Sequence, residues 1–290
     1  MAIFHLHVSP EARRQKIQSR INDTHALAEM CLHGPVQPKQ LSKLGIHAVQ
    51  VSLLKNDLFK FKPCFFLPAP AQTIRTCLRA KSHDELQNAV SDDEKTDSRG
   101  SSDSSISRTL VTQYSLIVDS RCDKLPTAIR SNLFLDNLSS LRECGATSKG
   151  KWRYQPDLEL SNHEFDTDHW EILHLFEDAE HELSHIIFDL RQDLDVDKTE
   201  YLTAGEIKAI LRVMTVRMGL ACYHEHVLMP ILVVSYLNSK QGRILQAHHD
   251  GRSVIIQYTP LFNFGGLAYG PVELFLRYYC SRPAGIAISK

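Results

Sequence analysis

A cluster of short apolar runs near the C-terminus constrains the fold of this chain more than any other feature. Pro230-Ile231-Leu232-Val233-Val234-Ser235-Tyr236, Arg243-Ile244-Leu245-Gln246-Ala247 and Ser253-Val254-Ile255-Ile256-Gln257-Tyr258 have strand-like composition and length. The breaks fall at Asn238 to Gly242 and at His249-Asp250-Gly251-Arg252, and Asp-Gly between apolar runs is a strong hairpin signal. The pattern predicts a three-stranded antiparallel meander. His248-His249-Asp250 sits at the second turn and is read as part of a plain hairpin.

Helical signals flank the meander. Thr203-x-x-Glu206 has the form of a capping box, followed by Ile207, Ile210, Leu211, Met214 and Met218 on one side. Gly270-Pro271 opens a last helix containing Leu274, Phe275 and Tyr278. Upstream, Ile172, Phe176, Ala179, Leu183, Ile187, Leu190 and Leu194 recur at spacings of three or four, which predicts a helix over Trp170 to Leu194. The expected architecture is α+β, with helices packed on one small three-stranded sheet.

The first half is less regular. Ser9-Pro10 has the form of an N-cap with Pro at the first helical position, starting a helix to about Leu32. Ile46 to Leu54 and Leu110 to Val118 are candidate strands; Pro68 to Ala80 and Pro126 to Arg142 are candidate helices. Ser82 to Arg108 is rich in Ser, Asp and Glu and nearly free of large apolar residues, so it is expected to be a disordered linker or surface loop suited to phosphorylation. This divides the chain into an N-terminal mixed segment (1–81), a linker (82–108) and an α+β domain (109–290).

With 290 residues and 43% hydrophobic content the chain can bury a real core. Lys+Arg 33 against Asp+Glu 34 leaves a formal net charge of -1, so no global field favours nucleic acid or an anionic membrane. The seven cysteines, at 31, 64, 77, 122, 144, 222 and 280, form no CxxC pair and suggest reduced thiols rather than a disulfide framework. A soluble intracellular protein, cytoplasmic or nuclear, is the expectation.

The segments PILVVSYLNSKQGRILQAHHDG, SVIIQYTPLFNF and VELFLRYYCSRPAG carry a recognisable pattern: a Pro-Val/Ile-Leu block, an "aRIlqA…dG" hairpin, a "spLydF" step and a helix ending in "SxPxG". Over roughly residues 200 to 286 the chain resembles a group of uncharacterised filamentous-fungal proteins. The resemblance implies a fungal source and a shared fold, and brings no activity with it.

Two metal-site patterns stand almost back to back. His181-Glu182-Leu183-Ser184-His185 matches HExxH, in which two histidines one helical turn apart bind zinc and the Glu is general base on a metal-bound water. A third ligand would have to come from Glu200 or Glu206, because Phe188 and Arg191 stand where the extended motif wants glycine and histidine. On the predicted helix His174, Asp178, His181 and His185 lie opposite the apolar stripe, which favours a solvated face over a catalytic zinc. The second pattern resembles a degenerate EF-hand over residues 187–211, with Asp195, Asp197, Thr199, the Tyr201 carbonyl and Glu206 at calcium-ligand positions. Glu200 replaces the turn glycine, and an acidic connection ended by a capping box explains the same residues without an ion.

Other chemistry finds less support. The strand Val254 to Tyr258 lacks the acidic and Lys pattern of a restriction-type nuclease, Gly265-Gly266 lacks a following Lys-Ser/Thr, and no Gly-x-Ser-x-Gly occurs. Lys149, Lys151, Trp152, Arg153 and Tyr154 are read as a domain-edge loop rather than a nucleic-acid platform. The leading expectation is a non-enzymatic binding or accessory module with a protein partner and no cofactor. The alternatives are a calcium-responsive module, a zinc hydrolase using Glu182 with His181 and His185, and an accessory protein of a fungal secondary-metabolite pathway.

Overall fold

The computed structural model describes residues 9–54, 58–79, 141–143, 169–178, 180–192, 194, 201–237, 241–264 and 270–285. The expected linker at 82–108, the strand at 110–118, residues 126–140 of the expected helix, the basic-aromatic spot at 149–154, and Asp195, Asp197, Thr199 and Glu200 lie outside the described residues. No described helix is long and apolar enough to cross a membrane.

The fold is α+β, and its sheet is larger than the meander alone. Strands β8 (Ile231–Tyr236), β9 (Gln241–His249) and β10 (Val254–Tyr258) pair antiparallel as expected. They form the centre of an eight-stranded mixed sheet. On one side β10 pairs in parallel with β2 (Ile46–Gln50), so the N-terminal segment and the C-terminal half share one sheet. On the other side β8 pairs in parallel with β6 (Ile186–Gln192), followed by β5 (Trp170–Glu177) and β4 (Arg142–Glu143). The short β11 (Phe262–Asn263) caps the end of β9.

The helix expected over Trp170 to Leu194 is therefore replaced by a β-hairpin, β5 and β6. The physical reason is that β6 is covered on both faces: Ile186, Phe188 and Leu190 enter one apolar cluster and Ile187 the other. A strand buried twice needs apolar residues at both parities, and such a run satisfies a spacing of three or four as readily as a spacing of two. A bulge between Ile172 and Leu175 blurs the alternation in β5 further.

The same two-faced burial runs through β8, where Ile231 and Val233 face one cluster and Leu232, Val234 and Tyr236 the other. Helices cover both faces. Helix α1 (Pro10–Cys31) starts where expected, with the Ser9 hydroxyl accepting the Ala12 N–H at 3.2 Å, and it lies against α4 (Ala204–Gly219). The α4 capping box is present in full: Thr203 Oγ1 accepts from Glu206 N at 3.1 Å and Glu206 Oε2 accepts from Thr203 N at 2.9 Å. Helices α3 (Ala71–Arg79) and α5 (Gly270–Tyr279) pair over the other, phenylalanine-rich cluster.

Gly242 lies where β8 and β9 pair, opposite Tyr236. A Cβ added there would stand 2.7 Å from the Ser235 carbonyl oxygen and 3.1 Å from the rings of Phe264 and Phe275. The carbonyl is held in the ladder and cannot swing away. Gly242→Ala is expected to destabilise the fold by about 1–3 kcal/mol, the usual cost of overpacking, seen as a lower urea midpoint with unchanged slope.

Candidate functional site

The two histidines of the zinc alternative do not stand one helical turn apart. His181 has a positive φ of 58° and lies in the turn between β5 and β6, where its N–H reaches the Asp178 carbonyl at 3.1 Å. His185 is on the extended segment entering β6, so the helical turn that would align the two rings is absent. Glu182 is exposed in the turn. Asp178 accepts the Leu183 N–H at 2.9 Å, and Asp189 accepts both the backbone N–H of His174 at 2.6 Å and its ring Nδ1 at 3.0 Å.

Each histidine of the motif has a structural partner instead. His185 is 1% exposed, and its Nε2 donates to the Ala284 carbonyl at 3.1 Å. Burial pushes its pKa down to about 4, with Arg217 and His226 adding to the effect against the backbone of Ala284 and Phe65. His181 Nδ1 meets the Tyr223 hydroxyl at 3.0 Å, and that hydroxyl donates to Glu177 Oε2 at 2.9 Å. Because the tyrosine proton goes to the carboxylate, His181 is the donor at Nδ1. Arg217 closes the cluster with an ion pair to Glu177 at 2.5 Å and a guanidinium 4.0 Å above the Tyr223 ring.

This buried Glu177–Arg217–Tyr223 group joins the end of β5 to the end of α4. Cys222 beside it is no activated nucleophile, since desolvation and the Glu177 carboxylate raise its thiol. Tyr223→Phe removes the hydroxyl between His181 and Glu177 and is expected to destabilise by about 1–3 kcal/mol, as for other buried polar groups that lose a partner. Thermal unfolding of the variant checks this.

The calcium reading meets a different obstacle. A helix–loop–helix frame needs a helix before residue 195, and β6 is a strand there. Of the five positions assigned to calcium, Tyr201 and Glu206 are described, and one guanidinium binds both. Arg243, 0% exposed, donates from Nε to Glu206 Oε1 at 2.8 Å and from Nη2 to the Tyr201 carbonyl at 2.7 Å. With Oε2 committed to the Thr203 N–H, neither oxygen of Glu206 is left for bidentate coordination. Among the described residues no group of three or more His, Cys, Asp or Glu side chains is placed to hold a metal ion.

A cavity of about 380 Å³ opens at the far end of β9, where the β9–β10 hairpin meets α1, the chain around Pro63 to Phe65, and the segment from Glu225 to Leu228. Its apolar wall includes Ile17, Phe65, Val227 and Leu228, and its polar wall includes His226, His248 and His249. The turn is the tight hairpin the Asp-Gly signal predicts, with Gly251 at φ 97° and Asp250 Oδ1 accepting from Arg252 N at 2.7 Å and Ser253 N at 2.8 Å.

The hairpin's histidines do more than shape the turn. His249 Nδ1 accepts the Gly251 N–H at 2.8 Å, and burial pushes the ring's pKa down to about 4. The neutral ring therefore carries its proton on Nε2. His248, 6% exposed, packs edge-to-face on Phe65 at 4.9 Å, and burial lowers its pKa as well. Its Nδ1 is buried without a hydrogen-bond partner among the described residues. His226 donates from Nε2 to the His181 carbonyl at 3.3 Å.

Comparison of the chain with protein-family models, with curated proteins and with solved structures gives no match.

Proposed function

We propose that this chain is a non-enzymatic binding module whose site is the cavity between the β9–β10 hairpin, α1 and residues 225–228. The observation that carries the reading is the cavity itself, about 380 Å³, with Ile17, Phe65, Val227 and Leu228 on its apolar side and His226, His248 and His249 on its polar side. A mixture of apolar wall and few convergent polar groups is typical of small-molecule sites.

The same geometry sets binding above catalysis. Burial lowers the pKa of His248 and His249, and the His249 ring is oriented by the Gly251 N–H it accepts rather than aimed at a nucleophile. An intracellular setting fits Cys31, Cys64, Cys222 and Cys280, which form no disulfide among the described residues. The C-terminal sequence resemblance supports a fungal source.

A fragment screen by ligand-observed NMR tests the reading. Hits are expected to shift resonances of residues 226–228 and 248–251 and to be lost in a Val227→Trp variant that keeps its circular dichroism. Hits mapping elsewhere, or surviving the tryptophan, would overturn it.

A further inference from the structure

We propose that this chain forms a two-fold dimer by pairing the free edge of its large sheet, β2, with the β2 of a second copy. Strand β2 ends the order of the eight-stranded sheet, and among the described residues no strand pairs with its outer side. Val254 N donates to the Gly45 carbonyl and Val51 N to the Tyr258 carbonyl, which fixes the parity of the parallel ladder. The odd-numbered residues from 45 to 51 face β10, so the backbone N–H and C=O groups of Ile46, Ala48 and Gln50 point to the open edge.

Natural edges are guarded against such pairing by Lys, Pro, bulges or inward-pointing charges. From Ile46 to Leu54 the chain reads IHAVQVSLL, without Asp, Glu, Lys, Arg or Pro, and the β2–β10 register runs without a shift. His47, Val49 and Gln50 are exposed, and so are Leu53 and Leu54 beyond the strand.

Symmetry and charge identify the occupant as a second copy. A two-fold interface sets the same surface against itself, so a charged strand would repel its copy and this uncharged one does not. Antiparallel pairing about Ala48 matches Ile46 with Gln50 of the partner subunit and Ala48 with Ala48 of the partner subunit, so every outward group meets its complement. That register uses the open stretch and stops where it ends, since the Ser52 carbonyl already accepts the Lys60 N–H. It also sets Val49 beside His47 of the partner subunit, taking both exposed side chains out of water.

Sedimentation equilibrium of the full chain over a concentration series, joined to amide hydrogen exchange, tests this. The expected result is a reversible monomer–dimer equilibrium in which the Ile46, Ala48 and Gln50 amides exchange more slowly as the dimer fraction rises. The His47 and Val49 amides, bonded to β10 in either state, should not change. Val49→Lys, at a position 52% exposed, should keep its circular dichroism and weaken the dimer at least about tenfold. Met30→Lys, at an exposed position on α1, should leave the dimer intact. A monomer at every concentration, open-ended oligomers without a dimer, a dimer indifferent to Val49→Lys, or a dimer with unchanged exchange at Ile46, Ala48 and Gln50 would overturn the proposal. The exchange measurement needs no variant and decides the matter if Val49→Lys fails to fold.

Discussion

Replacing Arg243 with methionine is expected to lower the unfolding free energy by about 3–5 kcal/mol, the cost of leaving one partner of a buried ion pair uncompensated. Arg243 and Glu206 are both 0% exposed, and the guanidinium also holds the Tyr201 carbonyl. In the variant the Glu206 carboxylate keeps its capping bond to Thr203 N but loses its counter-charge. For a chain of this size the melting point should fall by roughly 10 °C. Combining Arg243→Met with Glu206→Gln should recover more than half of the loss, because glutamine retains a capping acceptor and carries no charge. Urea melts of the single and double variants check this, and a single-variant loss below about 1 kcal/mol would show that the pair is not buried as described.

Acid should destabilise the fold well above the carboxylate range. His185 and His249 have folded-state pKa values near 4 against an ordinary value of 6.5. As pH falls through 6.5 the unfolded chain takes up protons that the folded chain refuses, so stability is full above about pH 6.5 and declines until about pH 4. At 1.36 kcal/mol per pH unit, the loss is on the order of 3 kcal/mol for each ring. His248, also lowered by burial, adds in the same direction. Glu29 and Asp250, whose folded values are depressed, extend the decline below the ordinary carboxylate range. Urea midpoints between pH 7 and pH 4.5 measure the sum. NMR titration of the imidazole protons, assigned with His185→Gln and His249→Asn, should find both rings neutral at pH 5.5; midpoints near 6.5 would contradict their burial.

Local signals in the sequence were read correctly where the structure answers to local chemistry. The Ser9 cap, the Thr203–Glu206 capping box and the Asp250-Gly251 turn each act within a few residues, and each is found as expected. Residues 170–192 were misjudged because the evidence that decides between helix and strand lies elsewhere in the chain. β6 is a strand because β5 and β8 flank it and apolar clusters cover both its faces. The parallel pairing of β2 with β10 spans about two hundred residues and leaves no local mark.

The candidate site shows the same division. Glu206 drew attention as a cation ligand, and its cation proves to be Arg243, 37 positions away. A signal was available: a lone arginine in the apolar run Arg243-Ile244-Leu245 must find a buried counter-charge if the strand is central. His248 and His249 were rightly placed at a hairpin, but their place on a cavity wall depends on α1 and residues 225–228 meeting that hairpin, which periodicity does not encode.

The measurement that bears most directly on the central claim is the environment of the His248 ring in the presence of a bound ligand. Long-range ¹H–¹⁵N NMR of the imidazole, in the full chain saturated with the tightest hit, should show the His248 nitrogens shifting on binding while those of His185 stay in place. Ligand binding that leaves His248 unchanged, or that moves His185 instead, would contradict the assignment of this cavity as the binding site.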